Sequence, residues 1–126
     1  MIEAKHAFWA EKVFNPYLMW LFKRNFHAIK VLGEIPDTVA EIPLLLLPNH
    51  STWWDGFFVY LLNKKFLHRV FYLMMLEEQL SKYRFFSKIG AYSVEPNFPK
   101  SLLETLNYSV SLLKQSSIPQ PMLCIF

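Results

Sequence analysis

The stretch Ile42-Pro43-Leu44-Leu45-Leu46-Leu47-Pro48-Asn49-His50-Ser51-Thr52-Trp53-Trp54-Asp55 decides how the rest of the chain is read. Residues 42–47 form a continuous apolar run bounded by Pro43 and Pro48, the pattern of a strand covered on both faces. Polar residues follow, and Asp55–Leu62 reads as a helix that ends near Asn63-Lys64-Lys65. The same alternation recurs downstream. Residues 68–76, rich in Val, Phe, Tyr and Leu, fit a second buried strand, and residues 77–89 a short helical connection. Gly90 precedes a third short strand over residues 91–95. Residues 99–114 are predicted to form an amphipathic helix with Leu102, Leu103, Leu106, Val110 and Leu113 along one side. After a loop at residues 116–121, residues 122–126 begin another strand. Strand and helix alternate from residue 42 onward, which implies an α/β fold with a largely parallel or mixed sheet covered by helices.

Upstream, residues 2–29 carry a helical period: Val13/Phe14, Tyr17/Leu18, Leu21/Phe22, Phe26 and Ile29 recur every three to four positions. Asn15-Pro16 is expected to divide this stretch, since Asn caps helices and Pro suits a first helical position. Phe8, Trp9, Tyr17 and Trp20, with Lys12, Lys23 and Arg24, match an interfacial helix that lays its rings at headgroup depth. The alternative is an amphipathic helix packed on its own core. Residues 33–41, with Pro36-Asp37, read as a turn or a short strand end. The chain thus divides into amphipathic, membrane-associating helices over residues 1–30 and an α/β part over residues 31–126.

Composition points the same way. A chain of 126 residues is one domain. Its hydrophobic share of 53% and aromatic share of 17% are high, against about 45–50% apolar for soluble domains. The excess suits a membrane surface, a lipid pocket or a partner. No uncharged apolar stretch approaches the roughly 18 residues of a spanning helix, and the start lacks a signal-peptide pattern. A peripheral or monotopic position on the cytoplasmic face of a membrane is the expectation. The net charge of +3 is no nucleic-acid footprint. The groups Lys23-Arg24, Lys64-Lys65 with His68-Arg69, and Lys82, Arg84, Lys88 suit anionic headgroups or a solvated rim. The single cysteine, Cys124, excludes an internal disulfide and reads as a buried, inert thiol. Oligomeric state is not legible.

The chemistry concentrates at residues 49–55. In open α/β sheets ligands bind beyond the C-terminal ends of strands, where His50 sits. Imidazole takes up a proton near neutral pH, and a positioned His contributes about 10²–10⁴-fold to the attack of an alcohol. Asp55, at the start of the next helix, can bond one ring nitrogen and fix the tautomer. The amides of Ser51 and Thr52 are placed to receive an anionic oxygen. No G-x-S-x-G elbow is present, and no H-x-x-x-H pair suggests zinc, so no metal is expected. His6 and His27 are expected in the N-terminal helices, interfacial or solvent-facing. His68 is expected to open a strand, and Met74-Met75 to lie in the core.

Asn49-His50-Ser51-Thr52-Trp53-Trp54-Asp55, an N-H-x-x-x-x-D block after an apolar strand, resembles the first signature of the glycerolipid acyltransferase superfamily, the lysophosphatidic acid acyltransferase (PlsC-type) group. The resemblance implies that His50 is the general base and Asp55 its orienter, with Asn49 and Ser51 at neighbouring, weaker substrate-binding positions. It implies an acyl-CoA or acyl-carrier-protein thioester as donor, no bound cofactor, and the hydroxyl of a lipid as acceptor. Gly90-Ala91-Tyr92-Ser93-Val94-Glu95-Pro96 resembles the second block, G-x-x-F-I-D-R, with Gly90 and Ser93 as substrate-binding positions. Pro96 stands where that family has an arginine for the acceptor's phosphate; Lys88 and Lys100 are the nearby cations. Phe126 matches the first residue of a third block, F-P-E-G. The resemblance spans roughly residues 15–126, so the expectation is the N-terminal part of such a domain, truncated at Phe126, with little or no turnover by itself. The alternatives are a catalytically incomplete remnant or membrane-binding module, and a soluble domain that binds a protein partner.

Overall fold

A computed structural model of the chain describes residues 1–37 and 40–126. Strands β1 (Leu44–Leu46), β2 (Val70–Leu76), β3 (Ala91–Val94) and β4 (Pro121–Cys124) form one sheet in the order β1-β4-β2-β3. Every pairing is parallel. The fold is α/β: helix α1 (Phe8–Asn25), then an all-parallel sheet with interleaved helices α2 (Asp55–Leu62), α3 (Glu77–Lys82) and α4 (Pro99–Leu113). Parallel neighbours require such crossovers. The path runs from β1 through β2 to β3 with α1, α2 and the 3-10 turn Arg84–Ile89 packed on one face. It returns to β4 with α4 on the other. Reversing direction and changing face together keeps the crossover hand uniform.

Side-chain alternation sorts the core. On β2, Phe71 and Leu73 join an aromatic cluster with Phe14, Phe22 and Tyr60, whereas Tyr72 and Met74 face Tyr92 and Leu112. All four residues of β4 are buried, as its inner position requires. There the Cys124 thiol is pushed up to about 12 by burial. Strand β1 departs from expectation: Ile42, Leu45 and Leu47 are exposed. It pairs only with β4 and forms the sheet's margin, so it is not covered on both faces.

Asn15-Pro16 does not divide α1; Pro16 lies inside a continuous helix. An interior proline costs about 3 kcal/mol and removes one backbone bond. The helix persists because Ala10, Phe14, Leu18 and Phe22, on both sides of Pro16, are buried in the aromatic cluster. Asn15 does not cap a helix; it accepts a hydrogen bond from the Tyr60 hydroxyl at 2.7 Å. Residues 2–7 are not helical either. They run as a strap along β3: Ser93 N–H donates to the Ile2 carbonyl, Lys5 N–H to Ser87 and Ala7 N–H to Lys88, at 2.8–2.9 Å. His6 belongs to this strap, its Nε2 2.9 Å from the Phe71 carbonyl and its ring edge-on to Tyr72. His68 does not open β2. It caps a π-helical turn, Asn63–Leu67, in the left-handed conformation at φ 51°. The expected turn over residues 33–41 includes Thr38 and Val39, which lie outside the described residues.

Helix α4 is rotated relative to expectation. Its buried residues are Thr105, Ser109 and Leu112, while Leu103, Leu106 and Val110 face outward. Polar pairing explains the choice. The Thr105 hydroxyl donates to the Ser93 carbonyl at 3.0 Å, that of Ser109 to the Thr105 carbonyl at 2.9 Å, and Tyr92 Oη lies 2.7 Å from Ser109 Oγ. This ladder meets the hydrogen-bonding needs of buried groups that would otherwise cost stability.

Candidate functional site

The loop after β1 places His50 where the sheet's parallel topology puts ligand sites, beyond the strands' C-terminal ends. Asp55 is the first residue of α2, and its carboxylate turns back over the loop. Oδ2 accepts from the Ser51 amide at 2.6 Å and the Thr52 amide at 2.8 Å, and lies 3.0 Å from His50 Nδ1. Oδ1 accepts from the Thr52 hydroxyl at 3.1 Å. The Asp55 amide in turn donates to the Thr52 carbonyl at 3.2 Å, which closes the turn at the start of α2. The bond from the Thr52 amide holds the Asp55 carboxyl below its ordinary range. The Ser51 amide, the Thr52 hydroxyl and His50 add to that effect against an opposing contribution from partial burial. An ionised Asp55 at neutral pH orients the imidazole through Nδ1 and leaves Nε2 without a protein partner among the described residues.

The Ser51 and Thr52 amides therefore do not await an anionic oxygen, as the sequence suggested: both are already donated to Asp55. Asn49 is exposed beside His50. Gly90 and Ser93 lie apart from this loop and have structural partners. Gly90, at φ +111°, sits against the Phe71 carbonyl and His6, where a Cβ would come within 2.0 Å of the carbonyl oxygen. Ser93 is fully buried; its hydroxyl accepts from the Ile2 amide at 2.6 Å and donates to Glu77 at 2.8 Å. Neither lines the cavity described next; Ala91 and Val94 of the same strand do. Lys88 stacks on Trp9 at 4.5 Å, and Lys100 is exposed on α4.

Behind the His–Asp pair is a cavity of about 890 Å³, within the roughly 300–1,000 Å³ range of small-molecule sites. It lies between α1 and the sheet, with walls from Phe14, Leu21, Phe57, Leu73, Met75 and Phe126. His50 lines it and is 54% exposed, so the imidazole stands where the cavity meets solvent. Its ring lies 4.7 Å from that of Phe126, and exposed Trp53 borders the same opening. The few polar groups on the wall include Gln79 and the phenols of Tyr17, Tyr60 and Tyr83. Of these, Tyr60 is bonded to Asn15, and its phenol is pushed upward by burial and then by Glu11. Met75 thus lines the cavity, while Met74 also packs with the second core cluster as expected. The cavity was not read from the sequence because its lining letters are those of any apolar core.

Among the described residues no group of three His, Cys, Asp or Glu side chains is placed to hold a metal ion. No described helix is long and apolar enough to cross a membrane. Compared with protein-family models, with curated proteins and with solved structures, the chain matches none of them.

Proposed function

We propose that this chain carries the general base of an O-acyltransferase, in which the hydroxyl of a lipid acceptor attacks an acyl thioester of coenzyme A or acyl-carrier protein. One observation carries the reading: an Asp-oriented imidazole with a free Nε2 stands at the opening of an apolar cavity large enough for a hydrocarbon chain. In the proposed reaction Nε2 removes the acceptor's proton as its oxygen bonds to the thioester carbonyl. The tetrahedral intermediate then collapses, the C–S bond breaks and the thiol leaves with a proton. The apolar wall binds the acyl chain and keeps water from competing with the acceptor. The test is transfer of labelled acyl groups from the thioester donor to a lipid acceptor by the protein that carries this chain. His50→Ala is expected to lower transfer by about 10²–10⁴-fold, and Asp55→Asn to lower it substantially. Wild-type rates in both variants overturn the proposal.

A second observation supports attachment to a membrane surface. One face of α1 is buried, while Phe8, Trp9, Val13, Tyr17 and Trp20 are each more than half exposed on the other. Lys12 lies over Phe8, Arg24 over Trp20 and Lys88 over Trp9, at 4.5–5.3 Å. Exposed rings bracketed by cations suit an anionic headgroup layer. Flotation with anionic vesicles tests this; no recovery with them favours a soluble binding module, and equal recovery with neutral vesicles removes headgroup charge from the reading.

A further inference from the structure

A second chamber of about 460 Å³ opens between α1 and the segment that follows α3. Val13, Phe14 and Tyr17 form one wall and residues 82–86 the other. Phe14, Tyr17, Tyr83 and Phe86 line this chamber and the larger cavity alike, so the two volumes share those four walls. The lining is aromatic and aliphatic except for two exposed cations, Lys82 and Arg84. They are not equivalent. The Lys82 ammonium is paired with Glu78 at 2.9 Å, one helical turn back. Arg84 has no acidic partner among the described residues. The rim therefore offers one uncompensated positive charge above an apolar floor.

We propose that this chamber binds a long-chain fatty acid, its hydrocarbon lodged beneath α1 against Phe14, Tyr17 and Phe86 and its carboxylate on the Arg84 guanidinium. A guanidinium fork matches a carboxylate with two parallel hydrogen bonds. One free cation balances one negative charge. A phosphate monoester, with about −1.5 to −2 charges at neutral pH, needs a second cation, and Glu78 already engages the nearest. An uncharged chain of the same length gains the floor but not the rim. Arg84 does not line the larger cavity and His50 does not line this chamber, so the rim charge takes no part in the chemistry proposed at His50.

Equilibrium dialysis of residues 1–126 with labelled palmitate, below its aggregation concentration, tests the assignment. Palmitate is expected to bind at least about tenfold more tightly than methyl palmitate. Arg84→Gln, a substitution at an exposed side chain, is expected to erase that preference and leave the ester's affinity unchanged. His50→Ala is expected to leave both affinities unchanged, so failure of the acyl-transfer reading and failure of this one are separately visible. Equal binding of acid and ester, an Arg84→Gln variant that retains the preference, or hexadecyl phosphate binding more tightly than palmitate each overturns the proposal.

Discussion

Along β3 the sheet's margin is closed by the strap: Ile2 is bonded to Ser93, and Lys5 and Ala7 to the turn before the strand. Along β1 the opposite margin pairs inward with β4 and leaves Leu45 48% exposed. An unpaired edge is a template for another strand, and proteins usually blunt it. Here the closed margin depends on contacts between residues some ninety positions apart in sequence. The open margin carries the His–Asp pair, whose hydrogen bonds all fall within residues 50–55. The geometry at His50 is thus local, and that at β3 is tertiary. Damage at one margin should leave the other intact.

Gly90→Ala puts the greatest stress on the comparison. A Cβ there meets the Phe71 carbonyl oxygen at 2.0 Å and His6 Nε2 at 2.8 Å, in a left-handed backbone. The expected loss is at least about 3 kcal/mol in urea unfolding. A loss below about 1 kcal/mol would show that strap and strand yield easily. Ser93→Ala comes next, since its hydroxyl joins Ile2 to Glu77. It should cost about 1–3 kcal/mol and speed amide exchange at Ser93, with no change at Ser51 and Thr52.

At the open margin, Asp55→Asn should cost about 1 kcal/mol, as expected for weakened hydrogen bonds from Ser51 and Thr52. Because the folded state depresses the Asp55 carboxyl, its ionised form contributes stability above the usual carboxylate range. That contribution is lost as pH falls through the lower, folded-state value. Wild-type stability should therefore decline more steeply below about pH 4 than that of Asp55→Asn; parallel acid limbs would remove Asp55 from the account. The smallest effect is expected for Leu45→Lys, within about 0.5 kcal/mol on folding. If the open margin self-associates, that substitution should lower the light-scattering mass at high concentration.

The comparison also explains what was legible beforehand. Helix α2 begins and ends where its sequence indicated, and β3 and α4 begin where theirs did, because each is punctuated locally by Asp55, Gly90 or Pro99. The His50–Asp55 contact was legible because five positions spanning a loop and a helix start suffice to make it. The strap was not: residues 2–7 have no strand period, and their conformation answers to the free margin of β3. The helical period of α4 was read correctly but assigned to the wrong side. Apolar letters alone mark Leu103, Leu106 and Val110 as core, whereas Tyr92 and the Ser93 carbonyl select Thr105 and Ser109. Both cavities were hidden for a related reason, since nothing in an apolar letter distinguishes a side chain that touches a neighbour from one that borders a void.

The hydroxyl ladder between α4 and β3 has a mechanical meaning. Aliphatic packing tolerates small axial slips, because one methyl can replace another at modest cost. Hydrogen bonds of 2.7–3.0 Å at Thr105 and Ser109 do not. Turning α4 by one residue would strand Tyr92 and Ser93 without their polar partners, so the ladder works as a spline that keys the helix to its shaft. The outward set of Leu103, Leu106 and Val110 is therefore a fixed property of the surface, held by a few oxygen atoms on the helix's opposite side.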